Sequence, residues 1–470
     1  MEHMTRREKK VGLHNQLEAE RVAVSRPFLP LMAAFGEPKF IDLFSASRTV
    51  AAWLDVEVAL ARAQALHGVI PRSAADRIER ELRSVEIDHV LVVEGSRKVG
   101  YPILPFLEQL VQTDPQVASY VHFGATTQDI MDTALVLQLR GACDEITATC
   151  VVLGDALATL AVAERNTVMA GRTHGQQAVP ITFGMKVAGW LEEVRRGLVR
   201  LDEARGSMEV IQLYGAAGTS AAFGPMSTAT RKSVAEILGL GCDDMPWHSV
   251  RDRLFGLISA LVVLGSATGR IAREIVDLAR NEIGEVQEAE GRLSGASSTM
   301  PQKANPVLSE AIVGLSEMAC TLSAAPLRAM TGRHERPAGE WQMEWDSVPL
   351  IVMYAGSALS RGIDLIEGLR VNRERMKANL DVDGGLLMAE ALMMKMAPLI
   401  GRSEAHELIY DLVGNARVGG VSLAHAVRPI LEEHGVSEEF SLDGEEYLGE
   451  AEAIVSTAVG RWYETGGDRS

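Results

Sequence analysis

The chain has 470 residues, more than one packing unit usually holds, so we expect several subdomains. Apolar residues make up 47% of it and aromatic residues only 5%, which favours close-packed helices over β-sandwiches and barrels. The formal net charge of -17 argues against a nucleic-acid partner, because phosphate backbones bind basic surfaces.

The N-terminal segment, residues 1–25, is polar, and we expect it to be flexible. Its opening, MEHMTRREKK, is charged and is followed by no apolar stretch, so no signal peptide is predicted. The most apolar run, Leu254–Leu264, is shorter than the ~20 residues that span a bilayer. We therefore expect a cytoplasmic protein without a membrane partner.

Helical periodicity dominates the rest of the chain. Apolar residues at three- and four-residue spacing predict helices from about 40 to 111, and shorter helices with glycine turns follow residue 374. Between them, five long helices are predicted at about 127–166, 181–207, 249–290, 305–330 and 345–370. No run alternates as a sizeable sheet requires. We predict an all-α fold with domains at 26–118, 119–373 and 374–470.

Several long segments are apolar on more than one face, as in LFGLISALVVLGSATGRIAREIVDLARNEIG. A helix that is apolar on most sides must be buried on most sides. We therefore expect the long helices to pack against other copies of the chain in an obligate oligomer.

The sequence contains no GxGxxG, Walker A or HExxH motif, so nucleotide folds and zinc peptidases lack support. It also lacks the ligand spacing of common metal sites. We therefore predict no metal and no organic cofactor.

The first polar segment is HFGATTQDIMDT. Thr126 and Asp129 are three residues apart at the start of a predicted helix, as in a capping motif. Capping alone would explain both residues. Alternatively, the hydroxyls of Thr126 and Thr127, together with helix-end N–H groups, bind a carboxylate.

The second polar segment is AGRTHGQQAVP, which precedes another predicted helix. It places Arg172, Thr173, His174, Gln176 and Gln177 together. Taken alone, His174 is most simply a hydrogen-bonded core histidine. The density of polar side chains around a group that titrates near neutral pH also suits proton transfer.

The third segment, SGASSTMPQKANP, is short and polar and lies between two long helices. Asn305 is expected to cap the next helix, with Pro306 in its first turn. Lys303 and that helix N-terminus would then form an anion site, and Ser297 or Ser298 could supply an oxygen base. A linker with an N-cap is the alternative.

A fourth segment, GRHERPAGEWQMEWDS, is rich in charge. We interpret it mainly as a solvated loop with structural ion pairs, in which Arg333 or Arg336 could reach a substrate anion.

These motifs resemble those of the fumarase/aspartase superfamily. GASSTMPQKANP is similar to its GSSxMPxKxNP loop, and GATTQDIMDT and GRTHGQQAVPITFG resemble its two other motif regions, in matching order. DGGLLMAEALMMKMAPLIGRSEAHELI is similar to the C-terminal domain of adenylosuccinate lyases and 3-carboxy-cis,cis-muconate cycloisomerases. The resemblance implies a three-domain fold whose long helices form one bundle in a homotetramer, with each active site built from three subunits.

The resemblance also implies roles for individual residues. Ser297 matches the catalytic base, and Lys303 and Asn305 match residues that hold the substrate carboxylate and the carbanion. His174 matches the general acid or the group that orients it. Further substrate contacts are expected from Thr126, Thr127, Thr173, Gln176, Ser298, Met300 and Arg333.

The implied reaction is β-elimination from a small dicarboxylate through a carbanion. Bacterial cycloisomerases of the superfamily usually have tryptophan where this chain has His174, which favours a lyase that releases fumarate from a substituted succinate. The leaving group would be an amine or a small group such as nitrite. The alternatives are a 3-carboxy-cis,cis-muconate cycloisomerase, an adenylosuccinate lyase, whose nucleotide-binding residues are poorly matched, and a non-catalytic structural relative.

Overall fold

The computed structural model describes residues 29–289, 300, 303–434 and 443–467. These residues form nineteen α-helices and two antiparallel two-stranded sheets. The predicted all-α class is therefore confirmed, with the sheets confined to two short antiparallel pairs.

Seven helices precede the long ones. They are α1 (Pro30–Phe35), α2 (Pro38–Asp42), α3 (Ala46–Leu66), α4 (Arg72–Ser84), α5 (His89–Val99), α6 (Ile103–Thr113) and α7 (Pro115–Ala118). Side-chain caps fix several of their starts: the Ser45 hydroxyl accepts from Arg48 N at α3, and the Asp88 carboxylate accepts from Val90 N and Leu91 N at α5.

The central part contains long helices and one well-formed hairpin. Its elements are α8 (Thr127–Ala163), β1 (Val168–Thr173), β2 (Gln176–Thr182), α9 (Phe183–Met208), α10 (Ser227–Leu238), α11 (Asp252–Leu278), β3 (Val286–Gln287), α12 (Val307–Leu322), α13 (Ala324–Ala329) and α14 (Glu340–Glu367). The five predicted long helices correspond to α8, α9, α11, α12 and α14. The third ends earlier than expected, because a turn with Gly284 at φ 64° leads into β3.

The C-terminal part is built from shorter elements, as predicted. They are β4 (Arg370–Val371), which pairs with β3, then α15 (Arg373–Asn379), α16 (Ala389–Ile400), α17 (Arg402–Gly419), α18 (Leu423–Glu433) and α19 (Ala451–Gly467).

The chain divides into two compact units whose boundaries fall inside the five long helices. The first unit comprises the chain up to Thr147, Val199–Gly265 and Leu315–Ser357. Its main core joins α3–α6 to the start of α8, with Ile78, Phe106 and Ile130 fully buried. Each such side chain contributes about 1.5–3 kcal/mol by leaving water.

The second unit comprises Ala148–Leu198, Ser266–Gly314 and the chain from Ala358. One of its cores joins α16, α17 and α18. Its long helices approach closely at Gly362, where an added Cβ would lie 2.8 Å from Thr268 Cγ2. The domain boundaries at 26–118, 119–373 and 374–470 stay a prediction.

Three described helical stretches are long and apolar enough, by length and composition, to cross a membrane: Thr127–Ala163, Asp252–Leu278 and Val307–Ala329. The expectation that no stretch reaches spanning length is therefore wrong, because it counted only consecutive apolar residues. Within their 18-residue apolar windows, 44%, 61% and 33% of the residues are buried. Much apolar helix surface is thus left uncovered by the chain itself.

Candidate active site

His174 lies at the tip of a β-hairpin that the sequence analysis missed. β1 and β2 pair antiparallel, with Thr173 opposite Gln176. The two residues between them, His174 and Gly175, have φ of 52° and 74°. Two successive positive φ values are typical of the type I′ turn, whose twist matches that of the flanking strands. The hairpin therefore presents a histidine at its end.

A buried ion pair fixes the base of this hairpin. Arg172 Nη1 and Nη2 donate to Glu285 Oε2 and Oε1 at 2.8 and 2.6 Å. Glu285 is fully buried, and its Oε1 also accepts from Asn379 Nδ2 at 2.7 Å. Gln177 Nε2 donates to the Asn379 carbonyl at 2.8 Å. Because a bidentate arginine–carboxylate pair has one preferred geometry, these contacts hold the His174 turn in place.

The tip of the hairpin is exposed to solvent. Thr173, His174 and Gln176 are exposed, so His174 is not a core histidine. The His174 imidazole forms no hydrogen bond with any residue that the structure describes. The anchored turn thus carries an imidazole whose two ring nitrogens are both available for hydrogen bonding to a ligand.

The third polar segment is described only in part. Ser297 and Ser298 lie outside the described residues. Met300 and Lys303 are exposed, and the Lys303 N–H donates to the Met300 carbonyl at 3.0 Å. Lys303 forms no ion pair within the described part of the chain, so its ammonium group is available to an anion.

The first amides of α12 are already occupied by a carboxylate of the chain. Glu288 Oε2 accepts from Leu308 N at 3.1 Å, and its Oε1 accepts from Ser309 N at 2.7 Å. The Val307 N–H donates to the Asn305 carbonyl at 2.9 Å. The expectation that the Asn305 side chain caps this helix and leaves its N-terminus to an anion is therefore wrong. Glu288 caps it, because the helix dipole favours a carboxylate there.

Asn305 instead lines a polar cavity of about 730 Å³. Glu288, Arg370 and Asn372 also line this cavity, so it offers both charged and amide groups to a ligand. The cavity contacts neither Lys303 nor the described hairpin tip.

Asp129 ties the start of α8 to the loop after α9. Its buried carboxylate accepts from Thr126 N at 3.0 Å and from Tyr214 N and Gly215 N at 2.9 Å each. It also lies 3.0 Å from His248 Nε2. The contact with Thr126 confirms the predicted capping pattern. Thr126 and Thr127, near this carboxylate, are half-buried.

Arg336, rather than Arg333, contacts the start of α8. Its Nη2 donates to Thr126 Oγ1 at 3.3 Å and to the Ala216 carbonyl at 3.2 Å, and its Nε donates to Gln128 Oε1 at 2.9 Å. All three acceptors are neutral, so no described carboxylate pairs with this guanidinium. Arg333 is exposed and makes no hydrogen bond or ion pair to a described residue.

A buried network continues from Gln128 into α14. Gln128 Nε2 donates to Asp132 Oδ2 at 3.0 Å, and Arg251 lies between Asp132, at 2.7 Å, and Glu344, at 3.0 Å. Burial and nearby Asp132 raise the pKa of Glu344, although Arg251 lowers it. The fourth segment contains a structural ion pair, as predicted, between Glu344 and Arg251. Glu344 is buried rather than solvated, and Arg336 is half-buried against Thr126 and Gln128.

His122 pairs with a buried glutamate beside the same segment. Its Nδ1 lies 2.6 Å from Glu57 Oε1, and its backbone N–H donates to Glu57 Oε2 at 3.1 Å. Burial opposes protonation of the imidazole, but the charge and hydrogen bond of Glu57, with a smaller effect of Asp129, raise the pKa of His122.

Backbone strain marks the same regions. Among the described residues, four non-glycine residues have φ between 52° and 60°: His122, His174, Ser220 and His334. This conformation costs a side-chain-bearing residue roughly 1–2 kcal/mol, and such residues cluster at functional sites. Three of them, His122, His174 and His334, lie in the polar segments of the sequence, and Ser220 ends the loop that follows Tyr214.

The structure groups the predicted site residues by unit. Thr126, Thr127 and Arg333 belong to the first unit. His174, Thr173, Gln176, Met300, Lys303 and Asn305 belong to the second. Within the second unit, no described hydrogen bond joins the hairpin tip to the Lys303–Asn305 segment. Among the described residues, no group of three or more His, Cys, Asp or Glu side chains could hold a metal ion.

Comparison with known proteins identifies the family. The family model described as Lyase matches residues 34–320. A 3-carboxy-cis,cis-muconate cycloisomerase of Pseudomonas aeruginosa is 38% identical over 90% of this chain and 94% of its own. An N-acetyl-S-(2-succino)cysteine lyase of Dickeya dadantii is 33% identical over 92% of this chain and 96% of its own.

Solved structures agree with this assignment. The 3-carboxy-cis,cis-muconate lactonizing enzyme from Pseudomonas putida superposes with a TM-score of 0.86 at 35% identity, covering 93% of this chain and 99% of that one. The predicted all-α, fumarase/aspartase-like fold is therefore confirmed. The chain belongs to this lyase family and is an enzyme of the fumarase/aspartase superfamily.

Proposed function

We propose that the protein is a lyase that eliminates a substituent from a substituted succinate and releases fumarate. The observation that carries this proposal is the mounting of His174: an exposed imidazole without a described partner, on a turn anchored by Arg172 and Glu285. Such a group is suited to donate a proton to a leaving group.

The elimination begins at the carbon next to a carboxylate. Ser297 takes the proton, and the electron pair of the C–H bond spreads onto that carboxylate as a second negative charge. Lys303 stabilises this charge where it develops, and Asn305 holds the carboxylate. The bond to the substituent then breaks with its electron pair, and His174 protonates the departing group. Ser297 is a weak base and requires fixed donors around it.

The second carboxylate of the substrate binds at the start of α8. Thr126 and Thr127 offer hydroxyl groups there, and Arg336 offers a guanidinium whose described partners are all neutral. A carboxylate would supply the missing charge in a bidentate geometry. Arg333 stays a candidate for the same role from the exposed side of the loop. Thr173, Gln176, Ser298 and Met300 complete the proposed substrate contacts.

We further propose a cytoplasmic homotetramer in which each active site takes residues from three subunits. Support comes from the uncovered apolar surface of the long helices, where Val152, Val162 and Val263 are each more than 40% exposed. Light scattering should give four times the chain mass. A stable, active monomer in solution would reject this arrangement.

The second candidate is a 3-carboxy-cis,cis-muconate cycloisomerase, which forms a lactone by intramolecular addition. It is favoured by the Pseudomonas aeruginosa relative that carries this name, at 38% identity, and by the 3-carboxy-cis,cis-muconate lactonizing enzyme of Pseudomonas putida, at 35% identity. The two activities use the same base and the same carbanion stabilisation, and they differ in the group that meets the other end of the substrate.

Ultraviolet absorbance separates the two candidates. Succinates that carry an amine, thioether or nitro substituent should give fumarate absorbance with the lyase. Incubation with 3-carboxy-cis,cis-muconate should instead leave the muconate band unchanged. Loss of the muconate band without fumarate formation from any succinate would select the cycloisomerase. No change with either substrate class would contradict both proposals.

A further inference from the structure

Like Arg336, a second arginine of the first unit has only neutral partners. Arg231 lies on α10 and is 6% exposed. Its Nη1 donates to Ser220 Oγ at 3.1 Å, and its Cζ lies 4.1 Å from the centroid of the Tyr214 ring. No aspartate or glutamate of the described chain pairs with it. Because a buried cation is unfavourable unless an anion accompanies it, this guanidinium points to an anion from outside the described chain.

The groups around Arg231 do not supply the missing charge. Burial raises the pKa of Tyr214 to about 12, although Arg231 lowers it, so the Tyr214 ring is neutral near pH 7. Asp243, whose backbone carbonyl accepts from the Tyr214 hydroxyl, pairs its carboxylate with Arg253. The positive charge of Arg231 is therefore left for a ligand.

One nitrogen of the Arg231 guanidinium is available to such a ligand. Nε is sealed from solvent and has no partner, and Nη1 is bonded to Ser220. Nη2 makes no hydrogen bond to a described residue and, unlike Nε, is not sealed from solvent. An acceptor that carries a negative charge can therefore reach Nη2.

Arg231 and Arg336 contact the two ends of one loop, residues 215–220. Arg336 Nη2 donates to the Ala216 carbonyl at 3.2 Å, and Arg231 donates to the Ser220 hydroxyl. A hydrogen bond of 2.8 Å from Ser220 N to the Tyr214 carbonyl closes the loop. The Cα atoms of Ala216 and Ser220, four residues apart, are separated by at most about 14 Å. Arg231 thus lies beside the proposed carboxylate site at the start of α8.

The proposed elimination leaves Arg231 without a substrate group. One carboxylate of the succinate is assigned to Lys303 and Asn305, and the other is assigned to Arg336 and the threonines beside it. A third cation next to the site therefore calls for a third anion on the substrate. In a substituted succinate, only the substituent can carry this anion.

We propose that Arg231 determines specificity by binding a carboxylate on the substituent, so that the preferred substrates are succinates whose leaving group is itself an acid. An amino acid or a thiol acid fits this requirement, whereas ammonia or nitrite would leave Arg231 unpaired. The inference rests on the proposed function for the identity of the substrate, but the contact with Arg231 can be measured without turnover.

Two matched substrates test the proposal. 2-(Carboxymethylthio)succinate carries a carboxylate on its leaving group, and 2-(carbamoylmethylthio)succinate has nearly the same shape with a neutral amide. The ratio of kcat/KM for the acid to that for the amide should fall about 10–100-fold in Arg231→Met, the effect of losing one hydrogen bond to a charged group. The loss should lie in KM for the acid, because a contact remote from the reacting carbon binds the ground state and the transition state alike.

Two further variants control for net charge and for folding. Lys232→Met removes the same charge from the next residue of α10, which is exposed, and should leave the ratio unchanged. Arg231→Gln can still donate to Ser220 and should lower the ratio as Arg231→Met does, which keeps the test valid if the methionine variant does not fold. An equal fall of the ratio in Lys232→Met would overturn the proposal.

Calorimetry separates this inference from the proposed reaction. In Ser297→Ala, which should turn over slowly, the acid should bind about 10–100-fold more tightly than the amide, and adding Arg231→Met should remove the difference. If no succinate gives fumarate but this Arg231-dependent preference is present, the proposed reaction fails and the Arg231 contact stands. The Arg231 proposal is overturned if fumarate forms with the same ratio in the wild type and both Arg231 variants, or if binding does not distinguish the acid from the amide.

Discussion

The two polar regions of this enzyme differ in whether their charged side chains are buried and paired. In the first unit, the fully buried charges near the start of α8 are matched: Asp129 accepts from three backbone N–H groups, and Arg251 lies between Asp132 and Glu344. In the second unit, His174 and Lys303 are exposed and have no side-chain partner among the described residues.

The buried residues therefore fix the geometry of the site, whereas the exposed residues supply groups that can react. The paired buried charges of Asp129, Asp132, Arg251 and Glu344 fix the backbone that presents Thr126, and apart from Arg336 and Arg231 they leave no charge free to use in a reaction. Exposed, unpaired groups contribute little to folding and are free to act on a substrate. Changes in the first network should therefore lower stability, whereas changes at the second set should lower the rate.

The largest expected effect is at the proposed base. Ser297→Ala should lower kcat by about 10²–10⁴-fold, the usual contribution of a positioned base, and leave the urea unfolding midpoint unchanged. Steady-state kinetics and urea unfolding measure the two quantities. Ser298→Ala is the matched control and should lose much less activity. A larger loss in the Ser298 variant would transfer the role of base to that residue.

Breaking the buried triad should instead cost stability. Arg251→Met leaves Asp132 and Glu344 as two buried carboxylates without a cation, so the free energy of unfolding should fall by about 3–5 kcal/mol. Arg83→Met, at an exposed pair with Glu79, should cost less than about 1 kcal/mol. Equal losses in the two variants would show that burial does not distinguish these pairs.

Lys303→Met tests the stabilisation of developing charge. We expect kcat to fall about 10²–10³-fold, as for the loss of one oxyanion donor, with little change in stability. Lys377→Met, on an exposed side chain of the same unit, serves as control. If only KM rises, Lys303 binds the substrate without stabilising the carbanion.

The anchoring of the hairpin should have a smaller effect on the rate. Arg172→Lys keeps the charge but loses the bidentate contact with Glu285, so misplacement of His174 should lower kcat about tenfold while KM changes little. Arg373→Lys loses a comparable contact with Glu164 elsewhere in the second unit and should leave kcat unchanged. The same kcat in both variants would mean that the ion pair does not position His174.

The pH dependence of His122 gives the smallest effect. Because its pKa is raised in the folded state, its pairing with Glu57 stabilises the protein fully below about pH 6.5, and this contribution is lost as pH rises through the raised pKa. Glu57→Gln should therefore cost about 1–2 kcal/mol more at pH 6 than at pH 9 in urea unfolding. A cost that is constant with pH would exclude His122 as the titrating partner.

The sequence was sufficient to predict the helices and the motifs, but not the contacts between residues that are far apart in the chain. Periodicity located the five long helices, and the spacing of Thr126 and Asp129 predicted their cap. The hairpin was missed because its strands do not alternate and its turn consists of one histidine and one glycine. The Arg172–Glu285 pair spans 113 residues, a separation that no local pattern reports.

Distance along the chain also explains why the predicted cap of α12 was wrong. Asn305 stands where a cap is expected, whereas Glu288 lies 20 residues before the amide it caps. The roles of Ser297, Ser298 and the other proposed substrate contacts depend on the resemblance and stay predictions.

The carboxylate of Glu288 has a practical consequence for work in solution. Because Glu288 already accepts from the first amides of α12, sulfate or phosphate from a buffer should not bind at the start of this helix. Inhibition by such salts should reflect competition at the lysine and arginine side chains, and it should fade when Lys303 and Arg336 are neutralised.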